Sequence, residues 1–88
     1  MNAVKDMLRA GQTAVGTSPS PDQEIGFLAD SGLDFLLFDT QHSPVDIKAL
    51  GPSLASMRRR KATPIVRVGE NVADQVCYAL DIGAKGII

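Results

Sequence analysis

Two stretches of this chain read alike. Ala29-Asp30-Ser31-Gly32-Leu33-Asp34-Phe35-Leu36-Leu37 lines up with Leu80-Asp81-Ile82-Gly83-Ala84-Lys85-Gly86-Ile87-Ile88, each a helix end, a glycine, a turn and an apolar run. A glycine just past a helix supplies the left-handed residue that stops it. A continuous apolar run between turn signals suits a strand. Strand and helix alternating through short connections is the pattern of a parallel sheet, right-handed at each crossover and covered by helices.

The rest of the chain can be divided on the same terms. A first helix is expected from about Asn2 to Ala10, stopped by Gly11, followed by a strand over Gln12 to Thr17. Ser20 is expected to cap the second helix, with Pro21 at its first position, Gln23 closing a capping box, and Ile25, Phe27, Leu28 and Ala29 forming its apolar face. Phe35 to Phe38 reads as a strand buried on both faces, as parallel strands are. Ser43 and Pro44 are expected to open a third helix, reaching about Arg60 with a kink at Gly51-Pro52. Thr63 to Val68 is the third strand, with Pro64 tolerated near its start. Asn71 is expected to cap a last helix whose Val72, Ala73, Val76, Cys77 and Leu80 fall at helical spacing, ending at Gly83.

Two closures suit such a pattern. An open doubly wound sheet fits about 100–150 residues, whereas an eight-stranded α/β barrel takes roughly 250. Length favours the first, and the break after two isoleucines in a fourth strand favours the second. The reading adopted is α/β, an N-terminal portion of about three and a half βα units of a TIM-type barrel, with residues 1–88 as one partial domain.

Composition narrows the function classes. Nine Lys+Arg against ten Asp+Glu leave a net charge of −1, which argues against a nucleic-acid backbone binder. No segment approaches the roughly 18 apolar residues of a membrane span, and the opening residues carry Lys5, Asp6 and Arg9 instead of a signal-like apolar run. The single cysteine, Cys77, cannot form an internal disulfide, so a cytoplasmic location is expected. Cys77 is read as a small core hydrophobe, and Arg58-Arg59-Arg60-Lys61 as a solvated helix end whose charges complement the helix dipole.

In α/β folds the side chains at strand C-termini face the ligand site. Asp39 and His42 follow the second strand, and Arg67 lies near the end of the third. An imidazole can move a proton at neutral pH, and a carboxylate three residues earlier could hold its tautomer. A lone D-x-x-H is weak evidence, and spacing alone favours a polar loop histidine that caps the next helix or meets water. Arg67 suits a carboxylate substrate; a structural ion pair with Asp39, Glu70 or Asp81 is an equal alternative. Asp81 sits unfavourably in a last helical turn and calls for a partner across the fold.

The strings Phe35-Leu36-Leu37-Phe38-Asp39-Thr40-Gln41-His42-Ser43-Pro44, Pro64-Ile65-Val66-Arg67-Val68 and Ala79-Leu80-Asp81-Ile82-Gly83-Ala84-Lys85-Gly86-Ile87-Ile88, with Val15-Gly16-Thr17 before them, resemble the HpcH/HpaI aldolase family along essentially the whole chain. The resemblance implies a class II, divalent-metal-dependent lyase on an α/β barrel, using Mg2+, Mn2+ or Co2+. It would cleave or form 4-hydroxy-2-oxo acids with pyruvate or a related oxo acid, an aldehyde being the other component. His42 then matches the catalytic base, Asp39 the carboxylate paired with it, and Arg67 the arginine that contacts the oxo acid and stabilises its enolate. Asp81 matches an accessory acidic position. Gln41 stands where the family often has glutamate, keeping hydrogen-bonding capacity for substrate but removing a charge.

The family's Glu and Asp metal ligands are expected beyond Ile88, with none within this chain, so the fragment alone is expected to be inactive. The family's barrels form trimers or hexamers, and a homo-oligomer is expected at full length, with no nucleic acid or membrane partner. The alternative is a small non-catalytic α/β module that binds an anion through Arg67 and its glycine-ended turns.

Overall fold

The computed structural model describes residues 2–20 and 22–88. Helix α1 (Ala3–Arg9) starts where the Asn2 side chain accepts the Lys5 N–H, and Gly11, at φ +74°, turns the chain out of it. Strand β1 (Gly16–Thr17) is followed by α2 (Ile25–Ala29), β2 (Phe35–Asp39), a 3₁₀ turn (Ile47–Leu50), α3 (Gly51–Ser56), β3 (Thr63–Arg67), α4 (Ala73–Asp81) and β4 (Gly86–Ile87). Gly32 and Gly83, the aligned glycines, have φ of +104° and +118°. Both copies of the repeat therefore close a helix by the same left-handed turn.

All four strands are parallel and stand in chain order, β1-β2-β3-β4. That order decides between the two closures. With right-handed crossovers and no reversal of strand order, each connecting helix falls on the same face of the sheet, as in a barrel, and there is no switch point of the doubly wound kind. Leu36, Phe38 and Val66 point into this helical layer and meet Ile25, Ala29, Leu50, Leu54, Met57 and Ala79 in one core.

Several expected boundaries shift. Strand β1 is two residues long instead of spanning Gln12 to Thr17. Helix α2 begins at Ile25 with Glu24 as its flanking residue and no side-chain cap bond, so Ser20 does not cap it. Half of the expected box survives, since Gln23 Oε1 accepts the Ser20 N–H at 2.8 Å, while the Ser20 hydroxyl donates to Asp22. The expected position of Pro21 lies outside the described residues. Phe27 is 74% exposed instead of joining the apolar face: two residues from Ile25 is about half a helical turn, which points it away from the core.

The third helix does not start at Ser43. Asp46 caps the 3₁₀ turn by accepting the Lys48 N–H at 2.9 Å, and Gly51-Pro52 opens α3 instead of kinking it, since proline is tolerated in a first helical turn. Helix α3 then ends at Ser56, so the arginines lie beyond it, with Arg59 in the left-handed region at φ +61°. Asn71 makes no cap for α4, whose flanking residue is Val72, and Cys77 is exposed instead of buried. On α4 the buried residue is Ala79, and Val76 packs beside the core, so Cys77 turns outward.

Strand β2 is also buried on one face only. Leu36 and Phe38 are covered by helices, whereas Phe35, Leu37 and Asp39 are half-buried, facing an inner side with no second layer among the described residues. No described helix is long and apolar enough to cross a membrane.

Candidate functional site

Parallel pairing in register sets Asp39 directly beside Arg67 at the C-terminal ends of β2 and β3. One Asp39 oxygen, Oδ2, accepts from the Arg67 Nη1 at 3.5 Å, a long contact between half-buried groups. The other, Oδ1, accepts the backbone N–H groups of Gln41 at 2.8 Å and His42 at 3.0 Å. Together these hold the carboxyl below the ordinary aspartate range: the His42 amide is the largest cause, then the Gln41 amide, with the charges of Arg67 and His42 adding less. Of the alternatives for Arg67, the ion pair that forms is the one with Asp39.

The expected pairing of Asp39 with the His42 ring is not what forms. Asp39 holds the His42 amide, and the imidazole itself is exposed, with no hydrogen bond among the described residues. A carboxylate three residues before an amide is in ideal reach of the backbone, which competes successfully for it. His42 is thus fixed at its Cα and free at its ring.

Arg67 is held at its backbone as well. Its carbonyl accepts the Thr40 N–H at 3.0 Å and the Thr40 hydroxyl at 2.6 Å. Its Nε is buried, with no hydrogen-bond partner among the described residues, and an unmade bond at a buried charged donor is costly. The side chain as a whole keeps 31% exposure, so its other nitrogens are the ones a solute can reach. Ser18, Pro19, Phe38, Asp39, Ser43 and Val45 are among the residues around an open hollow of about 350 Å3, which Asp39 borders and Arg67 does not.

Gln41 lies at the same end, donating from Nε2 to the Gly69 carbonyl at 3.4 Å. Asp81 does not. It is exposed at the C-terminal end of α4, which is the end where the strands begin, and no partner for it appears among the described residues. The structure thus brings Asp39, Arg67, Gln41 and His42 together and leaves Asp81 apart.

Sequence reasoning missed four supports of this site. Thr40 clasps the Arg67 carbonyl, Ser43 donates to the Asp39 carbonyl, and Ser18 donates to the Leu37 carbonyl at 2.9 Å. Gln75, one turn into α4, accepts the N–H groups of Gly69 at 2.9 Å and Glu70 at 3.2 Å. Hydroxyls clustered just after apolar runs were the available signal for the first three. Gln75 had none, since its partners are set by how α4 docks.

Among the described residues no three His, Cys, Asp or Glu side chains gather to hold a metal ion. No protein-family model matches the chain. It is similar to a pyruvate aldolase of Rhizobium etli, 34% identical over 92 residues covering 100% of this chain and 35% of that protein. Among solved structures it is similar to an HpcH/HpaI aldolase from Desulfitobacterium hafniense (TM-score 0.84, 26% identity, 99% of this chain and 35% of that one). It is similar also to the citrate synthase SbnG (TM-score 0.82, 30% identity, 99% and 36%). The chain spans about a third of the length of the relatives it matches.

Proposed function

The chain matches the N-terminal part of the HpcH/HpaI aldolase family, and from that premise we propose that it supplies the oxo-acid-binding and proton-handling part of a pyruvate-type aldolase site. The observation that carries this reading is the partly exposed guanidinium of Arg67, held beside Asp39 at the strand ends by one long contact from Nη1. A guanidinium loosely paired at one nitrogen keeps donors for a planar carboxylate.

In the cleavage direction, Arg67 binds the carboxylate of a 4-hydroxy-2-oxo acid. The His42 imidazole takes the proton of the C4 hydroxyl. The C3–C4 bond then breaks, its electron pair passing into the enolate of pyruvate as the C4 oxygen becomes the carbonyl of the departing aldehyde. The imidazolium returns its proton to C3. The positive charge of Arg67 stabilises the enolate, Asp39 holds Arg67 and the His42 loop, and Gln41 offers hydrogen bonds without adding charge. Asp81 takes no part.

The family's chemistry implies a divalent ion, Mg2+, Mn2+ or Co2+. The described residues do not form a site for it by themselves, its ligands are proposed to come from outside these 88 residues, and no step above runs through it. The full site is proposed to act in the cytoplasm, in a homo-oligomer.

Pyruvate titrated into the chain is expected to shift the amide resonances of Thr40 to Ser43 and of Arg67, and Arg67→Ala to abolish the shifts. Pyruvate binding that survives Arg67→Ala overturns the assignment. In a longer protein that contains this chain, pyruvate release from a 4-hydroxy-2-oxo acid is expected to require the divalent ion. It is expected to collapse on His42→Ala, and retained activity there removes His42 from the mechanism. The likeness to a citrate synthase favours a second reading, in which the same groups serve the formation of citrate. Appearance of citrate without release of an aldehyde distinguishes it.

A further inference from the structure

We propose that the opposite end of the sheet carries a second site, a cleft that binds a phosphate-bearing small molecule. The cleft measures about 620 Å3 and lies where β3 and β4 begin, with Leu54 and Met57 in its apolar floor. Its size is that of a small-molecule site. Arg58, Arg59, Arg60, Lys61 and Lys85 line it, and no Asp or Glu does.

Two of those five cations anchor the segment. Arg60 pairs with Asp30 at 2.6 Å and donates from Nε to the Ser56 carbonyl at 2.8 Å. Lys61 pairs with Asp34 at 3.1 Å and donates to the Gly32 carbonyl at 3.0 Å. Arg58, Arg59 and Lys85 have no ion-pair partner among the described residues, so three positive charges stand uncompensated at one cleft in a chain whose net charge is −1. Arg59 also sits in the left-handed region at φ +61°, which side chains other than glycine's rarely adopt, and such strain is concentrated at ligand-holding positions.

Guanidinium groups match phosphate oxygens with paired donors, which gives the ligand its class. No aromatic residue lines the cleft, so it lacks the stacking platform of a single-strand binder. The site is independent of the oxo-acid chemistry, which lies at the other end of the strands.

The test is calorimetric and NMR titration of the chain with inorganic pyrophosphate at ~150 mM salt, where surface charges are screened beyond about 8 Å. Saturable binding is expected, with amide shifts at Arg58 to Thr63 and at Lys85. The triple variant Arg58→Gln, Arg59→Gln, Lys85→Gln is expected to bind at least about tenfold more weakly, and Lys48→Gln, at an exposed cation outside the cleft, as tightly as the parent. Arg59→Gly guards against a folding artefact: glycine suits φ +61°, so the melting temperature is expected to hold or rise while affinity falls. Absence of saturable binding, an unchanged affinity in the triple variant, or shifts confined to Asp39 and Arg67 overturns the proposal. Tighter binding of an oligothymidylate than of pyrophosphate also overturns it, in favour of a nucleic-acid backbone.

Discussion

The two faces of the central sheet carry the same residue chemistry to different ends. On the helix-covered face Leu36 and Val66 are fully buried and Phe38 is 1% exposed. On the other, Phe35, Leu37 and Ile65 are only half-buried, and the row ends in the Asp39–Arg67 pair. One face is thus stabilised by packing while the other keeps partial access to water, which is what allows an ion pair to sit on it. Apolar burial and polar pairing divide here by the alternation of side chains along a strand.

The sharpest way to break this comparison is Phe38→Ala. Removing a buried aromatic costs about 3–5 kcal/mol, a large share of the stability of any domain this size. Loss of the cooperative urea transition is expected, and a transition near the parent's would show that the covered face is not the core. Next in size is Gly16→Ala. A Cβ there would land on the Phe35 carbonyl oxygen and ring, backbone as well as side chain, so β1 must separate from β2. A loss of about 1–3 kcal/mol is expected, read as a lower denaturation midpoint with faster exchange at the Phe35 and Leu36 amides.

Acid separates the faces by kind. The Asp39 carboxyl is held below its ordinary value of 3.8 in the folded chain, so the stability it contributes is present above about pH 3.8 and is lost as pH falls through the lower folded value. Asp39→Asn is therefore expected to be less stable than the parent at pH 7, with the gap closing below pH 3.8, whereas the deficit of a covered-face variant is expected to persist at both pH values. A gap that stays constant with pH would deny Asp39 its charged role. The smallest effect belongs to Leu37→Ala, expected to cost about 1 kcal/mol because its side chain is only partly buried and no second layer among the described residues packs on it. A cost comparable to that of Phe38→Ala would mean that a second layer covers the open face in solution.

Much of this was legible in the residues. The aligned Ala29–Leu37 and Leu80–Ile88 stretches foretold both left-handed glycines and the parallel sheet, and the apolar runs at Phe35 and Thr63 placed β2 and β3 almost to the residue. The position of Asp39, His42 and Arg67 at strand ends followed from the same alternation. What did not follow was set by competition between local partners. Asp39 had both an imidazole and two amides within reach, and the amides won; Ser20 and Ser43 looked like helix caps, but Glu24 and Asp46 flank the helices that form. Cys77 and Phe27 were misplaced because short helices bury only a narrow stripe, and apolar residues off that stripe carry no mark in the sequence.

The carboxylate of Asp39 divides its attention by distance along the chain. One oxygen holds amides two and three residues ahead, while the other meets an arginine 28 residues away. Closing a loop of a few residues is far less demanding than closing one of 28. As the chain leaves a ribosome, the turn at Gln41 and His42 can therefore set before β3 has been made, and the arrival of Arg67 is the last step of assembly at that corner. The emerging protein would carry a shaped loop waiting for its cation, so that corner is assembled in the order of synthesis, from His42 to Arg67.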